Sequence, residues 1–469
     1  MVNLLLKHID HVVAWGGATY DCSYIYKPKN EVELRKVFEI ARTQGLTIAF
    51  RGSGQSYGDA SMNGEHVLVD LSGWNKIISW DSSTGEITVQ CGVTIEQLWR
   101  KVISSGWWPP VVPGTMQPTM GGCLAMNIHG KNHWRVGSFG EHVIGFTALL
   151  GNGEIVSCDK NDSSGLFHSM IGSFGMLGCF LTITLQLKKV NSDSVEVSSL
   201  SASNFDDLLM IIDQKKGCDY VVGWLDCVAS DAIIGRGVVH TAMYLEAVEY
   251  ENDNLITRYD LPDKLFLLPY KYIWIILKLF NHHIGYKIIN MLRFYSGKLR
   301  HKHIFNQSLV QFNFLLDYIP NWKRAFMPGG LVQYQCFVPF DDAIDVFTNI
   351  INSCHQYKII PYLGVVKRHR NDDFLISCNL DGFSMALDFS VTEKNRDGIS
   401  QLMSKLDEIV IDAGGRFYFA KDSNLSPDTT RSFLKKKVIQ ELINKKQDCD
   451  PYNLLQTNLS RRILPELHR

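Results

Sequence analysis

The sequence predicts an α+β fold in two units, on three observations. The chain has 469 residues, 45% of them apolar, enough for two or three genuine cores. Residues 31–190 alternate short β-like runs with glycine-rich turns and two amphipathic stretches. Beyond about residue 190 the glycines thin out, and longer strands alternate with helices, as in a sheet covered by helices.

Taken in order, residues 31–45 carry apolar side chains three and four apart and end at Gly45, so a helix is expected. Thr47–Phe50, His66–Leu71 and Glu86–Cys91 are β-branched runs bounded by turns, and read as strands. Residues 94–106 repeat the helical spacing and close on Gly106. Gly145–Cys158 holds Asn152-Gly153 between two apolar arms, a hairpin signal. In the second half Tyr220–Cys227, Leu331–Phe340 and Phe383–Val391 read as strands, while Phe340–Cys354 and Ile399–Gly414 read as helices. The last fifty residues return to Lys-rich helical sequence.

With 47 Lys+Arg against 48 Asp+Glu, net charge gives no reason to expect a nucleic-acid partner. Eleven cysteines stand singly, without Cys-x-x-Cys or zinc-ligand spacing, so reduced thiols and no metal centre are expected. The leucine run near the N-terminus is interrupted by Lys7 and Asp10 and reads as no secretion signal. A cytoplasmic protein is the expectation.

Three glycine-rich segments stand out. Residues 51–59 follow a strand, but Tyr57 occupies the third glycine position of a dinucleotide fingerprint and a strand comes next, so a Rossmann reading fails. What remains is a loop whose N–H groups, with Arg51, Ser53 and Ser56, can cradle an anion; an ordinary surface loop is the alternative. Residues 112–143 combine glycines with His129, Lys131, Asn132 and His133 in a stretch too irregular for one helix or strand. There Gly121 and Gly122 would let a flat ligand lie against the backbone. Residues 172–178 form the third. Three such loops point to an extended, phosphate-bearing cofactor.

The order of residues 51–59, Pro113-Gly-Thr, Thr119-Met-Gly-Gly and Asn127-Ile-His-Gly-Lys-Asn-His resembles the vanillyl-alcohol-oxidase, or PCMH-type, FAD-binding flavoproteins. Within them it most resembles the decaprenylphosphoryl-β-D-ribose 2-oxidases. The likeness continues through Gly223–Asp226, Leu331–Gln335, Val366-Lys367 and Gly415–Ser423, and so spans nearly the whole chain. It implies a FAD-binding domain from residues 1–190 plus 416–469, interrupted by a substrate-binding domain at 191–415 with an antiparallel sheet covered by helices. It places FAD against Arg51, Gly52, Ser53, Gly54, Gln55, Ser56, Tyr57, Gly114, Thr119, Met120, Gly121, Gly122, Met126, Asn127, Ile128, His129, Phe180 and Tyr418. Gln55 stands where many members carry the histidine that bonds FAD covalently; an amide cannot form that linkage, so non-covalent FAD is expected.

The resemblance makes Lys421 and His129 the catalytic candidates: an ammonium to orient the hydroxyl or stabilise negative charge, and an imidazole to handle a proton. Taken without it, Lys421 reads as a solvated side chain and His129 as a satisfied structural histidine. Lys131, Trp224, Gln333, Gln335 and Lys367 are the substrate candidates. Gln333 and Gln335 alternate along one strand and share a face; Trp224 offers an apolar wall or a core residue. Lys367 stands with Arg368 and Arg370, either a phosphate site or a solvated basic turn. Ala386 replaces a cysteine found in other members, which removes thiol chemistry without touching hydride transfer.

Residues 264–316 contain no Asp or Glu and eight Lys/Arg; without them the chain holds 39 basic against 48 acidic residues. Lys264, Lys271 and Lys278 recur every seven residues, which on a helix forms one stripe amid Leu, Ile, Trp and Phe, although Pro269 limits that helix. The apolar run Tyr272–Leu277 is far short of the about 20 residues needed to span a bilayer, so 264–303 reads as a peripheral membrane contact or a buried domain helix.

The function implied is oxidation of the ribose 2-hydroxyl of a polyprenylphosphoryl-β-D-ribose to the keto sugar, half of an epimerisation in cell-wall biosynthesis that an NADH-dependent short-chain reductase completes. A soluble sugar or alditol oxidase and a non-catalytic flavin-binding protein are the alternatives.

Overall fold

The computed structural model describes residues 9–246, 264–265, 268–317 and 319–468. The first half builds two sheets. One has four strands in the order Ile9–Val13, Tyr20–Tyr26, Val67–Asp70, Ile48–Arg51. The other is antiparallel, in the order Ile77–Asp81, Glu86–Gln90, Gly178–Gln186, Val143–Leu150, Ile155–Asp159. The expected hairpin forms on Asn152-Gly153, with Gly153 N–H donating to the Leu150 carbonyl. Both expected helices are present, Glu31–Thr43 and Ile95–Val102. The second starts at a reciprocal capping box of Thr94 and Gln97, which satisfies two N–H groups that the first turn leaves open.

The second half builds one antiparallel sheet of eight strands. Its order is Ile304–Ser308, Ser194–Ala202, Gly237–Tyr244, Tyr220–Leu225, Leu363–His369, Gly382–Ser390, Leu331–Pro339 and Arg416–Phe417. Helices Phe205–Gln214, Ala343–Gln356 and Arg396–Asp412 bury Leu209, Phe347, Leu402 and Leu406 in its core. Cysteine thiols are free throughout the described residues, eight of the eleven buried and Cys22, Cys218 and Cys378 partly so.

After Phe417 the chain returns to the first half. Ile48 N–H donates to Leu454 and the Ile48 carbonyl accepts from Gln456, adding an edge to the four-stranded sheet. Arg462 ties this tail to Asp59 and Asp422. Buried Lys446 pairs with Asp450 and donates to the Leu455 carbonyl, so this return is fixed by a satisfied interior charge.

The lysine stripe expected at 264–278 does not form. Lys264 lies in a two-residue strand paired with Leu268-Pro269, Lys271 in a tight turn at Tyr270–Tyr272, and Lys278 in the helix Ile273–Leu279. Pro269 has no N–H to give a helix, and the chain turns back on itself before the helix starts. A separate helix, His283–Leu299, follows. Among the described residues no helix is long and apolar enough to cross a membrane.

Candidate active site

A cavity of about 430 Å³ lies between the glycine loops of the first half and one face of the eight-stranded sheet. Its loop wall holds residues 51–57, Gly114, Thr119, Gly121, Gly122, Met126, Ile128, His129 and Phe180. Among the described residues the backbone N–H groups of 52–56 donate to no protein acceptor, which leaves a run of five donors at the cavity. Gly52 is required by close approach: a Cβ there would sit 2.1 Å from Thr119 Oγ1. The Arg51 guanidinium is already engaged, donating to the carbonyls of Val13 and Ser61, so it shapes the loop rather than offering its charge.

The sheet wall follows from strand alternation. Gln335, Ala386, Val365 and Trp224 form one cross-strand row, each paired with the next. Gln333, Asp388 and Leu363 form the neighbouring row. All seven line the cavity, with Lys367 on the same face of its strand. From the start of the tail come Tyr418 and Lys421.

Lys421, Asp388, Tyr57 and Gln333 make one network. The Lys421 ammonium lies 4.1 Å from the centre of the Tyr57 ring, and Gln333 Nε2 donates to Asp388 Oδ1 at 2.8 Å. Burial lifts the Asp388 carboxyl to about 6, against the pull of Lys421 and the hydrogen bonds from Gln333 and Tyr57. Burial lowers Lys421 to about 8, and Asp388 opposes that shift. Lys367 falls to about 7 through burial and then the neighbouring Lys421 charge. Lys131 falls to about 7 through burial and then Lys367, while its ammonium donates to the carbonyls of Phe312 and Asn313.

His129 Nε2 lies 2.9 Å from Gln335 Nε2, so this ring nitrogen accepts from the amide. Burial, reinforced by Lys367, holds the imidazole well below its usual range and therefore neutral. Among the described residues its Nδ1, with Gln55 Oε1 and the Tyr418 hydroxyl, is buried without a protein partner. Free N–H groups together with these unpartnered polar atoms around the cavity fit a cofactor with a charged diphosphate and a polar ring edge.

Comparison with known proteins points the same way. Residues 22–159 match the family described as an FAD binding domain. The chain is 28% identical to the decaprenylphosphoryl-β-D-ribose oxidase of Mycolicibacterium smegmatis, over 96% of this chain and 97% of that one. The mouse L-gulonolactone oxidase is 25% identical over 36% of this chain and 38% of its own. The D-arabinono-1,4-lactone oxidase of Yarrowia lipolytica is 25% identical over 37% and 33%. The chain is an FAD-dependent oxidoreductase.

Bound FAD supplies this oxidoreductase with a two-electron acceptor; its own side chains must bind, orient and deprotonate the substrate. Of the residues expected to hold FAD, Met120 and Asn127 do not line this cavity. Met120 is fully buried in the core at the start of a short helix, and Asn127 turns away to accept the Gly140 N–H at 2.9 Å. Gly121 lines the cavity while packing closely on its other side, where a Cβ would meet Cys91 at 2.9 Å; a Cβ on Gly122 meets only the Thr119 hydroxyl at 3.2 Å. Arg368 and Arg370 are not free for a phosphate: Arg368 pairs with Asp213 and Asp381, and Arg370 with Glu141. Trp224 is both core and wall, only 4% exposed and at the cavity.

Asp388 was absent from the sequence expectation, although the alternation that pairs Gln333 with Gln335 also puts Asp388 on the face of Ala386. Arg293 and His240, also at the cavity, carried no local signal.

Proposed function

We propose that this oxidoreductase takes a polyprenylphosphoryl-β-D-ribose and oxidises its ribose 2-hydroxyl to the keto sugar, the first half of an epimerisation completed by an NADH-dependent short-chain reductase. The observation that carries this reading is the charge of the cavity. Among the described residues Lys131, Lys367, Lys421 and Arg293 line the cavity with one carboxylate, Asp388, so the site suits an anionic sugar better than a neutral one. The whole-length likeness to an enzyme named for such a substrate supports it. We place FAD on the loop wall, held without a covalent bond because Gln55 cannot form one, and the substrate on the sheet wall at 191–415.

In this reading Lys421 hydrogen-bonds the hydroxyl and lowers its proton affinity, while Asp388, ionised above about pH 6, accepts the proton. Neutral His129 and Gln335 fix the sugar ring through hydrogen bonds. No metal is required by these roles.

A peripheral membrane contact belongs to the same reading. In the helix His283–Leu299, Asn290 and Phe294 are buried, while Ile284, Ile288, Leu292, Tyr295 and Leu299 face outward. Leu299 is 90% exposed. Around them Lys271, Lys278, Lys287 and Lys298 are exposed, and residues 264–316 hold no acidic side chain. Outward apolar residues ringed by ammonium groups suit an anionic bilayer surface. We therefore infer a protein on the inner face of the membrane. Co-sedimentation with anionic vesicles should fall for Lys271→Glu/Lys278→Glu; equal binding by both proteins would remove the electrostatic contribution.

The reaction is tested by turnover of the pure holoenzyme with the reductase and NADH. The arabinose epimer should form from polyprenylphosphoryl ribose, and accumulation of no oxidised or epimerised sugar would refute the reading.

A further inference from the structure

The sheet wall leaves one charge without a task. Arg293 projects from the helix His283–Leu299 to the cavity, and its guanidinium carbon lies 4.8 Å from the centre of the Trp224 ring. Trp224 is fixed, 4% exposed and packed with Val238 and Phe294. A guanidinium stacked on a held ring keeps its N–H donors in one plane, the arrangement that grips two oxygens of a phosphate together.

Among the described residues no carboxylate lies within ion-pair distance of Arg293, whereas Arg236, Arg368 and Arg370 each have one. The cavity's own carboxylate, Asp388, is taken by Gln333 and lies beside Lys421. Arg293 is exposed on its helix, so its guanidinium stays charged and open to a ligand, while burial first and then the Arg293 charge hold neighbouring His240 near 4.

We propose that Arg293 binds the phosphate of the lipid-linked substrate, gripping it against Trp224 at the junction between the polar cavity and the apolar helix. The proposal rests on the polyprenylphosphoryl-ribose reading and assigns its phosphate subsite. It also explains why this arginine sits on this helix. A phosphate held there puts the sugar toward Lys421 on one side and leaves the lipid chain on the side of Leu292 and Tyr295, which are 62% and 51% exposed.

The test uses farnesyl phosphate, which has the lipid and the phosphate but no sugar to oxidise, and follows its binding to the FAD-loaded enzyme by the change in flavin absorbance. Wild type should bind farnesyl phosphate at least tenfold more tightly than Arg293→Gln, with Arg293→Lys between them. Farnesol, without the phosphate, should bind both proteins equally. Retained flavin and an unchanged melting temperature in Arg293→Gln establish that the fold is intact. A second arm separates this ligand from bilayer phosphates: co-sedimentation with phosphatidylglycerol vesicles should be the same for wild type and Arg293→Gln. Equal farnesyl phosphate affinity in wild type and Arg293→Gln, equal loss for farnesol, or a loss confined to vesicles would each overturn the assignment. Because no turnover is needed, failure to oxidise polyprenylphosphoryl ribose would count against the proposed reaction and leave the anchor standing.

Discussion

The two walls of the cavity are built from different chemistry. The loop wall presents backbone: among the described residues the five N–H groups of 52–56 have no protein acceptor, and Arg51 holds the loop in place. The sheet wall presents side chains, set by strand alternation, whose protonation lies close to neutral pH: Asp388 near 6, Lys367 near 7 and Lys421 near 8. A diphosphate needs many donors that never change charge, and a backbone loop gives them. Removing a hydroxyl proton needs groups that do change charge, and buried side chains give those. In the proposed function, the difference between the walls separates holding the cofactor from handling the substrate.

Substitutions on the two walls should fail in different ways. Lys421→Met should lower the rate of flavin reduction about 10²–10³-fold, the usual loss for removing one oriented charge at a reacting oxygen, with FAD still bound; stopped-flow reduction checks this. Asp388→Asn should lower kcat by about 10²-fold. The sign of its pH dependence follows from a raised carboxyl: wild-type activity falls as pH drops through about 6, and that acid limb should vanish in the asparagine variant. On the other wall, Gly52→Ala puts a methyl 2.1 Å from Thr119 Oγ1 and should cost about tenfold in FAD affinity while any loaded fraction turns over normally, as read by flavin titration. Smallest is the effect of pH on substrate binding. Lys367 loses its proton near 7, so KM for a phosphorylated sugar should rise about two- to threefold from pH 6.5 to 8, and Lys367→Gln should flatten that rise.

The loop wall was the more legible in sequence, because its parts are contiguous: residues 51–57 and 127–133 each announce a dense, irregular, glycine-bearing turn. Alternation carried Gln333 and Gln335 onto one face, and the same rule reaches Asp388 once the strand register is known. Arg293 was hidden because its meaning depends on Trp224, a residue on a different element far away in the chain. Met120 and Asn127 turn their side chains away from the cavity for a related reason. Within a loop every residue is near the ligand in sequence, but packing decides which side chain turns to the core or to a neighbouring N–H. The lysine spacing at 264–278 misled because a period has meaning only inside one element, and Pro269 ends the element.

The central claim is that a loop-held flavin faces a cationic, sheet-built substrate site. It is tested most directly by anaerobic flavin reduction across polyprenylphosphoryl-β-D-ribose, free ribose and an alditol. Rapid bleaching of the flavin absorbance by the lipid phosphate sugar alone is expected. Equal or faster bleaching by free ribose or the alditol would contradict it.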